Sequence, residues 1–583
     1  METIRLKIDN IEVEAPKGST ILEAARLANI EIPTLCFLKE INEIGACRIC
    51  VVELKNGRIV ASCVFPAEDG MEVFTKSPRI LEYRKKTLQL LLSNHRRECL
   101  SCVRSGHCEL QELCQQMGVD DEKFYDGITN EYEIDASAPH MIRDNSKCIL
   151  CRRCIAVCEK NQAVGVIGAN ERGFKTFVGS AFDMGLGDTS CISCGQCISV
   201  CPVGALYEKD FTDKVFAEIA DPDKFVVVQT APAVRAGLGE EFGYPIGTDV
   251  EGKMAAALRR LGFDKVFDTD FSADLTIMEE GTEFIHRVQN GGVLPMITSC
   301  SPGWIKYCEY YYPEFIPNLS SCKSPQQMFG AVTKTYLAEK LGIDKEKIVC
   351  VSVMPCTAKK FEIGRDDQAA AGVPDVDISI TTRELARMIR KARINFQTLP
   401  EEGFDDPLGE STGAGVIFGA TGGVMEAALR TVAEVLEKKS FDDVDYHAVR
   451  GTEGVKEATL NIAGIDVNIA VASGTANAKK VLEMVKSGEK NYHFIEIMAC
   501  PGGCVNGGGQ PQQPGYIRNT VDIKALRAKA LYDNDAAKTY RKSHENPSIK
   551  KIYDEYFGEP GSEKAHHILH TSYVARKIND YNF

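Results

Sequence analysis

Two cysteine-rich runs constrain the fold of this chain more than any other feature of its sequence. Residues 148–158 ("CILCRRCIAVC") and 191–202 ("CISCGQCISVCP") share the spacing C-x2-C-x2-C-x3-C. This is the spacing of bacterial two-cluster ferredoxins, in which the fourth cysteine of each run binds the other run's 4Fe–4S cluster. Because both runs are intact, zinc sites and disulfides are poor alternatives. The predicted ligands are Cys148, Cys151, Cys154 and Cys201 for one cluster, and Cys191, Cys194, Cys197 and Cys158 for the other.

The composition is that of a globular protein rich in metal-binding thiols. The chain has 583 residues, enough for several domains, of which 44% are hydrophobic and 26% charged. No apolar run is long enough to span a bilayer, and no export signal follows Met1, so we expect a cytoplasmic protein without membrane insertion. In that setting most of its 23 cysteines are expected to bind metal rather than form disulfides. The formal net charge of −14 argues against nucleic acid or an anionic membrane as the main partner.

Residues 1–80 are predicted to form a small β-rich domain around a four-thiolate site. The first residues predict a strand, a turn, a second strand and a helix whose start Thr20 and Glu23 would stabilise as a capping box. This β-grasp-like pattern favours a 2Fe–2S cluster of the plant ferredoxin type over a structural zinc ion. The predicted ligands, spaced C-x10-C-x2-C-x12-C, are Cys36, Cys47, Cys50 and Cys63.

A helical stretch, "PRILEYRKKTLQLLLSN", leads to a third cluster motif, H-x3-C-x2-C-x5-C, in a segment spanning residues 81–120. Imidazole can replace a thiolate as a ligand, so the motif predicts a 4Fe–4S cluster on His95, Cys99, Cys102 and Cys108. Cys114 is a weaker rival ligand that we assign to packing. An acidic, irregular connection around residues 118–142 then leads into the two-cluster domain, residues 138–210.

The pattern changes after residue 220 to short apolar runs that alternate with helical segments. The runs are "FVVV", "VLPMI", "IVCVSVM", "GVIFGA" and "FIEIM", and the helical segments include residues 253–261, 325–341 and 424–438. This alternation predicts an α/β domain, residues 220–546, with buried parallel strands.

Cysteines follow three of these predicted strands, at Cys300, Cys356 and Cys500. Ligands of α/β sheets gather at the carboxyl ends of strands, so we expect these cysteines to converge on one cofactor. Cys504 completes "CPGGC", whose glycines allow the backbone to approach a bulky ligand closely.

A C-terminal tail, residues 547–583, contains a helical "KAHHILH" with His566 and His570 four positions apart. Two histidines at this spacing can bind zinc, but no third ligand is evident in the sequence. We therefore expect a helix that packs on the surface.

Three cysteine-bearing stretches, "TSCSPGW", "MPCTAKK" and "MACPGGCVNGGGQP", resemble the cofactor-binding signatures of iron-only hydrogenases, also called FeFe-hydrogenases. The resemblance covers almost the whole chain, including the order of the accessory-cluster motifs. It implies an H-cluster, in which a 4Fe–4S cubane is joined through one cysteine sulfur to a two-iron unit carrying CO, cyanide and azadithiolate. It also implies the reversible reaction of two protons and two electrons to H2. The fold expected is multidomain, α+β and α/β, with one 2Fe–2S cluster, three accessory 4Fe–4S clusters and the H-cluster.

The resemblance assigns roles residue by residue. Cys504 matches the cysteine that bridges cubane and diiron unit, Cys356 and Cys500 match other cubane ligands, and Lys359 matches a lysine contacting an iron-bound cyanide. Glu280, Ser320 and Glu283 match a chain that carries protons. At Ala233 relatives often have serine, which would remove one hydrogen bond to cyanide. The remaining residues implied to line the cofactor pocket are Ala231, Pro232, Ser324, Gln326, Met354, Pro355, Phe418, Gly419 and Met498.

"TSCSPGW" departs from relatives that have two adjacent cysteines here, of which the first passes protons and the second ligates the cubane. Position for position, Cys300 matches the proton carrier and Ser301 the ligand. A neutral serine is a poor iron ligand, so the alternative is a local shift that places Cys300 on iron and Ser301 in the proton route. We favour the first assignment, because no gap is needed from Glu280 to Cys356.

The electron partner is expected to lie on other subunits, because "GAGVIFGATGG" lacks the spacing of a G-x-G-x-x-G dinucleotide fingerprint. The serine of "TSCSPGW" is similar to that of catalytic subunits in multimeric, NAD(P)-linked, electron-bifurcating hydrogenases of anaerobes. We therefore expect NAD(P)/flavin-binding and iron–sulfur partner subunits, with ferredoxin reacting directly or through them. A free-standing ferredoxin-dependent hydrogenase is the alternative.

Two non-catalytic alternatives have less support. Residues 1–210 also resemble the cluster-bearing end of a respiratory NADH dehydrogenase subunit, but the rest of the chain argues against a pure electron-transfer module. The intact "MPCTAKK", Lys359 and Glu283 argue against a non-catalytic relative that acts in cluster assembly.

Overall fold

The structure is a computed structural model that describes residues 2–119 and 127–577. Two ranges of the predicted segments, residues 120–126 and 578–583, lie outside the described residues. The first contains the last residue of the predicted segment 81–120 and part of the predicted acidic connection, and the second ends the predicted tail. Within the described ranges, no helix combines the length and the apolar character that crossing a membrane requires.

The N-terminal unit is a five-stranded sheet, as its alternating sequence predicts. The confirmed strand–turn–strand–helix start consists of β1 (Thr3–Ile8), β2 (Ile11–Pro16) and α1 (Ile21–Leu27). Thr20 and Glu23 form the predicted capping box at α1. The later strands are β3 (Val51–Leu54), β4 (Ile59–Ala61) and β5 (Glu72–Phe74), and the order in the sheet is β2-β1-β5-β3-β4, with β1 parallel to β5.

Two helices and a small cluster-binding unit connect this sheet to the large domain. The predicted helix is α2 (Pro78–Leu92), which begins at the cap Ser77, and α3 (Glu109–Gln116) follows it. Arg84 of α2 donates to the Ile49 and Val51 carbonyls, so α2 is fixed to β3. The unit beyond contains β6 (Met141–Arg143), α4 (Arg153–Ala156), β7 (Gly168–Asn170), β8 (Phe177–Gly179), α5 (Gln196–Ser199) and β9 (Leu206–Glu208).

The large domain has two four-stranded sheets. The first has the order β11-β10-β13-β14 and is fully parallel, and the second has the order β12-β17-β16-β15, in which only β15 is antiparallel to its neighbour. Their strands are β10 (Phe225–Thr230), β11 (Lys265–Asp268), β12 (Met296–Ile297), β13 (Ile348–Met354), β14 (Ile378–Thr381), β15 (Val455–Ile462), β16 (Ile465–Ser473) and β17 (Phe494–Met498).

Helices cover both sheets, and the three helical segments predicted here are confirmed. The helices up to the middle of the domain are α6 (Thr212–Ala220), α7 (Pro232–Arg235), α8 (Glu251–Leu261), α9 (Thr269–Gln289), α10 (Pro302–Tyr311), α11 (Pro325–Val332), α12 (Ala338–Leu341) and α13 (Lys359–Glu362). The later ones are α14 (Thr382–Lys391), α15 (Gly413–Ile417), α16 (Gly423–Glu437), α17 (Thr475–Lys486), α18 (Gly515–Arg518), α19 (Ile523–Ala537), α20 (Pro547–Ile552) and α21 (Glu563–Leu569).

One predicted strand is wrong. "GVIFGA" begins inside α15 and continues past its end, and it is no part of either sheet. All of its residues are buried, so hydrophobicity could not distinguish a strand from a helix over so short a run. α15 packs on α9 so closely that a Cβ at Gly415 would lie 2.6 Å from the Asp270 carbonyl oxygen.

The C-terminal helices belong to the core of the large domain. Ile549, Ile552 and Leu569 are buried in one cluster with Met328 and Phe329 of α11. On α21 the side chains of His566 and His567 are exposed, as expected for a helix that packs on the surface. The end of α21 and the two residues after it pair with residues 321–323, which adjoin Ser320.

Candidate active site

The cysteines of the large domain line one cavity at the carboxyl ends of strands from both sheets. Cys356 follows β13 of the first sheet, whereas Cys300 follows β12 and Cys500 follows β17 of the second. Cys504, in the turn after Cys500, completes the set of cysteines that line the cavity. The predicted convergence on one site therefore occurs between two sheets rather than along one edge.

Most residues implied to line the cofactor pocket lie in the wall of this cavity. They are Ala231, Pro232, Gln326, Met354, Pro355, Phe418, Gly419 and Met498. Ser324 is not part of the wall, but its hydroxyl accepts a hydrogen bond from Lys359 Nζ at 2.8 Å.

Lys359 is held at the wall by three acceptors. Its Nζ donates to Ser324 Oγ, to the Cys300 carbonyl at 3.2 Å and to Glu362 Oε2 at 2.9 Å. Glu362, which also accepts from Gln326 Nε2 at 2.8 Å, was not predicted as a site residue. The available signal was its position three residues after Lys359 on one helix, a spacing that brings opposite charges together. This pair keeps the ammonium charge compensated in a buried site.

Cys300 and Ser301 have different neighbours. Burial raises the pKa of the Cys300 thiol well above its usual range, and the nearby carboxyl of Glu280 raises it further. Ser301 Oγ instead accepts a hydrogen bond from the Ala499 N–H at 3.2 Å, next to Cys500. The thiol is therefore influenced by Glu280 of α9 and also by Cys504, whereas the hydroxyl is hydrogen-bonded to the backbone next to Cys500.

The residues implied to carry protons follow one another from the cavity outward. Burial, and then the like charge of Glu283, raises the pKa of Glu280 to about 8, and neither of its oxygens has a hydrogen-bond partner of normal geometry among the described residues. Ser320 Oγ donates to Glu283 Oε2 at 2.9 Å, and Arg287 Nη2 donates to Glu283 Oε1 at 2.6 Å. A pKa of about 8 keeps Glu280 mostly protonated at pH 7. Glu283, the residue of this series farthest from the cavity, is held in place by Ser320 and Arg287.

The cavity fits an iron–sulfur cofactor in its donors and in its shape. Burial raises the thiol pKa values of Cys356, Cys500 and Cys504, a cost that a bound metal cluster would offset with its positive charge. The backbone around them is closely packed, since a Cβ at Gly507 would lie 2.1 Å from the Pro355 carbonyl oxygen. Buried soft donors with room between them are what a cluster requires.

The four predicted 2Fe–2S ligands come together in the N-terminal unit. All four cysteines are buried, and Cys50 Sγ lies 3.2 Å from Cys63 Sγ. The hydrogen bond within each thiol pair lowers the pKa of one member, Cys47 or Cys50, and raises that of its partner, Cys36 or Cys63. Four buried thiols this close together are suited to bind iron as thiolates.

The cysteines of the two-cluster unit group as their spacing predicts. Burial, with the charges of Cys148, Cys151 and Cys201 among its neighbours, raises the pKa of Cys154 well above its usual range. The same applies to Cys197, whose neighbours include Cys191 and Cys158. Cys201 thus lies near the first run and Cys158 near the second, as a cluster that takes its fourth cysteine from the other run would require.

Cys194 connects the two-cluster unit to the cavity. It lies in the cavity wall, and Cys500 is one of the charges acting on its thiol. The turn at Gly195 packs against the large domain so closely that a Cβ there would lie 2.3 Å from Thr357 Oγ1 and 3.1 Å from Gly508 Cα. A cluster held by this run would therefore lie next to the cavity.

The predicted ligands of the third motif are less buried than those of the other accessory clusters. Burial lowers the pKa of His95 to about 4, and its Nδ1 has no hydrogen-bond partner among the described residues, so the ring is neutral with a nitrogen available. Burial raises the pKa of Cys108 to about 11, with Cys102 nearby, whereas Cys99 is exposed. Cys114 is partly buried against the hydrophobic cluster of this region.

Comparison with known proteins agrees with this geometry. The family profile described as iron only hydrogenase large subunit, C-terminal domain, matches residues 224–508. The NADP-reducing hydrogenase subunit HndD of Solidesulfovibrio fructosivorans is 50% identical over 99% of this chain and 100% of its own length. The chain belongs to the iron-only hydrogenase family.

Other similarities cover the rest of this hydrogenase. Further profiles match a 2Fe–2S cluster binding domain (residues 1–78), an NADH-ubiquinone oxidoreductase-G iron–sulfur binding region (84–123), a 4Fe–4S dicluster domain (147–205) and an iron hydrogenase small subunit (521–576). Iron hydrogenase 1 of Clostridium pasteurianum is 45% identical over 97% of this chain and 99% of its own length. The structure of a variant of apo [FeFe]-hydrogenase HydA1 from Chlamydomonas reinhardtii aligns with TM-score 0.57 and 44% identity, covering 63% of this chain and 99% of that one.

The predicted family and multidomain fold are therefore confirmed. The chain is an iron hydrogenase that has accessory iron–sulfur domains and performs its H2 chemistry at an H-cluster.

Proposed function

We propose that Cys356, Cys500 and Cys504 hold the H-cluster in the cavity, with Ser301 at the fourth cubane position and Cys300 as the proton carrier. The observation that carries this proposal is the neighbourhood of the adjacent pair. Cys300 lies beside Glu280, and Ser301 accepts from the N–H of Ala499. A thiol is the better acid of the two, since its reference pKa is ~8.5, so the carrier role favours Cys300.

The walls of the cavity would position the cofactor and exclude water. When bound, the H-cluster supplies the iron at which two protons and two electrons combine to H2. Lys359 would place an ammonium charge against a cyanide, with its remaining contacts to Ser324 and Glu362 fixing the direction of Nζ. Met354, Phe418 and Met498 contribute apolar, polarizable surface. At Ala233 the chain offers no side-chain hydroxyl, so one cyanide ligand would have one hydrogen-bond donor fewer.

Protons would reach Cys300 through Glu283, Ser320 and Glu280. The raised pKa of Glu280 suits a group that must give up a proton near neutral pH. The hydroxyl of Ser320, bonded to Glu283, provides the intervening donor and acceptor. The guanidinium of Arg287, which pairs with Glu283, would hold that carboxylate in place.

Electrons would pass along one 2Fe–2S and three accessory 4Fe–4S clusters to the cavity. The ligands are those predicted above, with His95 completing the cluster of Cys99, Cys102 and Cys108. The organisation is a 2Fe–2S domain (1–80), a 4Fe–4S segment with one histidine and three cysteine ligands (81–120), a two-cluster domain (138–210), a catalytic domain (220–546) and a tail (547–583). The contact between Cys194 and the cavity supports a last transfer from the cluster of Cys191, Cys194, Cys197 and Cys158.

The hydrogenase would work as the catalytic subunit of a cytoplasmic, NAD(P)- and ferredoxin-linked, electron-bifurcating complex of an anaerobe. The similarity to the subunit of an NADP-reducing hydrogenase over the full length of both chains supports partner subunits that bind NAD(P) and flavin. A free-standing, ferredoxin-dependent enzyme is the second candidate, because Iron hydrogenase 1 also matches nearly end to end.

Purification of the native protein under anaerobic conditions would decide between the two settings. We expect flavin-containing partner subunits to copurify, and H2-dependent NAD(P)+ reduction to require ferredoxin. A single chain that reduces ferredoxin at full rate without partners would contradict the complex and leave the hydrogenase assignment intact.

A further inference from the structure

A thiol, an imidazole and a carboxylate meet at the outer end of the proton route. One ligand atom from each of Glu283, Cys322 and His570 lies within 4.8 Å of the other two. Cys322 Sγ lies 3.8 Å from Glu283 Oε2, close to the separation of two ligands on one zinc ion. The three residues come from α9, from the segment before α11 and from the residue after α21.

The backbone holds these donors in register. Cys322 and His570 face each other in an antiparallel bridge. Lys323 N donates to the Leu569 carbonyl, and Thr571 N donates to the Ser321 carbonyl, each at 2.8 Å. Backbone hydrogen bonds therefore fix the positions of Cys322 and His570 relative to each other.

A neighbouring carboxylate prepares His570 to bind a cation. Glu279 accepts hydrogen bonds from Tyr553 Oη at 2.5 Å and from Gly561 N at 2.9 Å, and it lies 3.1 Å from His570 Nε2. A carboxylate only accepts, so the neutral tautomer that fits this contact has its hydrogen on Nε2 and its lone pair on Nδ1. Nδ1 now pairs with the Ser321 hydroxyl at 2.8 Å. A carboxylate behind a ligating histidine is the usual support of zinc sites.

The local charge also favours a cation. Glu279 and Glu283 contribute two carboxylates, whereas Arg287 is the one cation paired with Glu283 among the described residues. Burial and these carboxyls raise the pKa of the Cys322 thiol, and a bound divalent ion would reverse that effect. The side chain of Glu283 is 15% exposed, which leaves a side of the site open to entry.

We infer that Glu283, Cys322 and His570 form a binding site for one divalent cation of the zinc class, and that a cation bound there blocks proton transfer through Glu283. The blocking rests on the proton route proposed above, because a carboxylate that ligates a metal no longer accepts a proton. The site itself rests only on the three donors and on Glu279.

The test is a zinc titration of the holoenzyme with all clusters loaded. We expect one additional zinc per chain to be retained after desalting, and X-ray absorption at the zinc edge to show a single sulfur ligand at ~2.3 Å. H2 evolution should fall ~10²-fold, the order of a lost proton-transfer group, and recover when a chelator removes the ion.

Two variants and one matched control make the result specific. His570→Gln and Cys322→Ser should each lose the retained zinc and the zinc sensitivity, measured against their own rates without metal. His544→Gln should keep both, since it removes the histidine of a second cluster, with Glu434 and Glu545, that has no sulfur donor.

Zinc that is not retained by the wild type, or that is retained equally by His570→Gln and Cys322→Ser, would overturn the site. Zinc that binds and requires His570 without slowing turnover would instead contradict the proposed role of Glu283, and the metal site would stand.

Discussion

Replacing Glu280 with Gln should abolish most activity and at the same time stabilise the protein at alkaline pH. In the folded protein the pKa of this carboxyl is raised from 4.5 to about 8 by burial and by Glu283. A carboxyl whose folded pKa lies above its unfolded pKa binds more protons in the folded state. Stability is therefore lost as the pH rises from 4.5 to 8. The difference of about 3.5 between those two pKa values corresponds to ~5 kcal/mol at ~1.4 kcal/mol per pH unit, lost fully only above pH 8.

Glutamine has the same shape and no titratable proton, so the Glu280→Gln variant should not lose this stability. The apparent melting temperatures of wild type and variant should be measured by calorimetry from pH 5 to 9 at one scan rate. The difference between them should grow in favour of the variant as the pH rises and then become constant near pH 8. H2 evolution should fall ~10²–10⁴-fold with the cofactor's infrared bands retained. Melting curves that stay parallel across this range, or activity near that of the wild type, would refute the assignment of Glu280 as a buried, protonated relay.

Three other changes test the remaining roles. Cys300→Ala should leave cubane and diiron unit in place but nearly silence turnover, and loss of the cubane's EPR signal in this variant would make Cys300 the ligand instead. His95→Cys should keep the cluster and shift its reduction potential, because thiolate is charged and imidazole is not; an unchanged redox titration and EPR spectrum in His95→Ala would show that His95 is no ligand. Removing residues 1–210 should keep the CO and cyanide bands but abolish electron transfer from the natural partner, and a full rate with that partner would contradict the electron route. The structure of HydA1 from Chlamydomonas reinhardtii, which matches 63% of this chain, supports independent folding of the remainder.

Much of this architecture is predictable from local sequence. The cysteine spacings predict which cysteines lie close together, because each predicted cluster draws most of its ligands from one short stretch, and the Thr20 capping box needed only a three-residue pattern. The convergence of Cys300, Cys356 and Cys500 followed from the tendency of α/β ligands to collect at strand ends.

What failed depended on contacts between distant parts of the chain. The first three residues of "GVIFGA" belong to α15, which packs against α9 and α19, and a short apolar run contains no information about its neighbours. For the same reason, local sequence could not predict that Cys356 follows a strand of one sheet whereas Cys300 and Cys500 follow strands of the other. The contact of His570 with Glu279, 291 residues away in sequence, turned an expected surface histidine into a neighbour of the proton route.

Infrared spectroscopy of the anaerobically purified holoenzyme tests the central claim most directly. An H-cluster held by Cys356, Cys500 and Cys504 predicts bands of iron-bound CO and cyanide that shift when H2 is added. The same measurement on Cys504→Ser should show the bands lost together with H2 evolution. An active enzyme without such bands, or a Cys504→Ser variant that retains both bands and activity, would contradict the account.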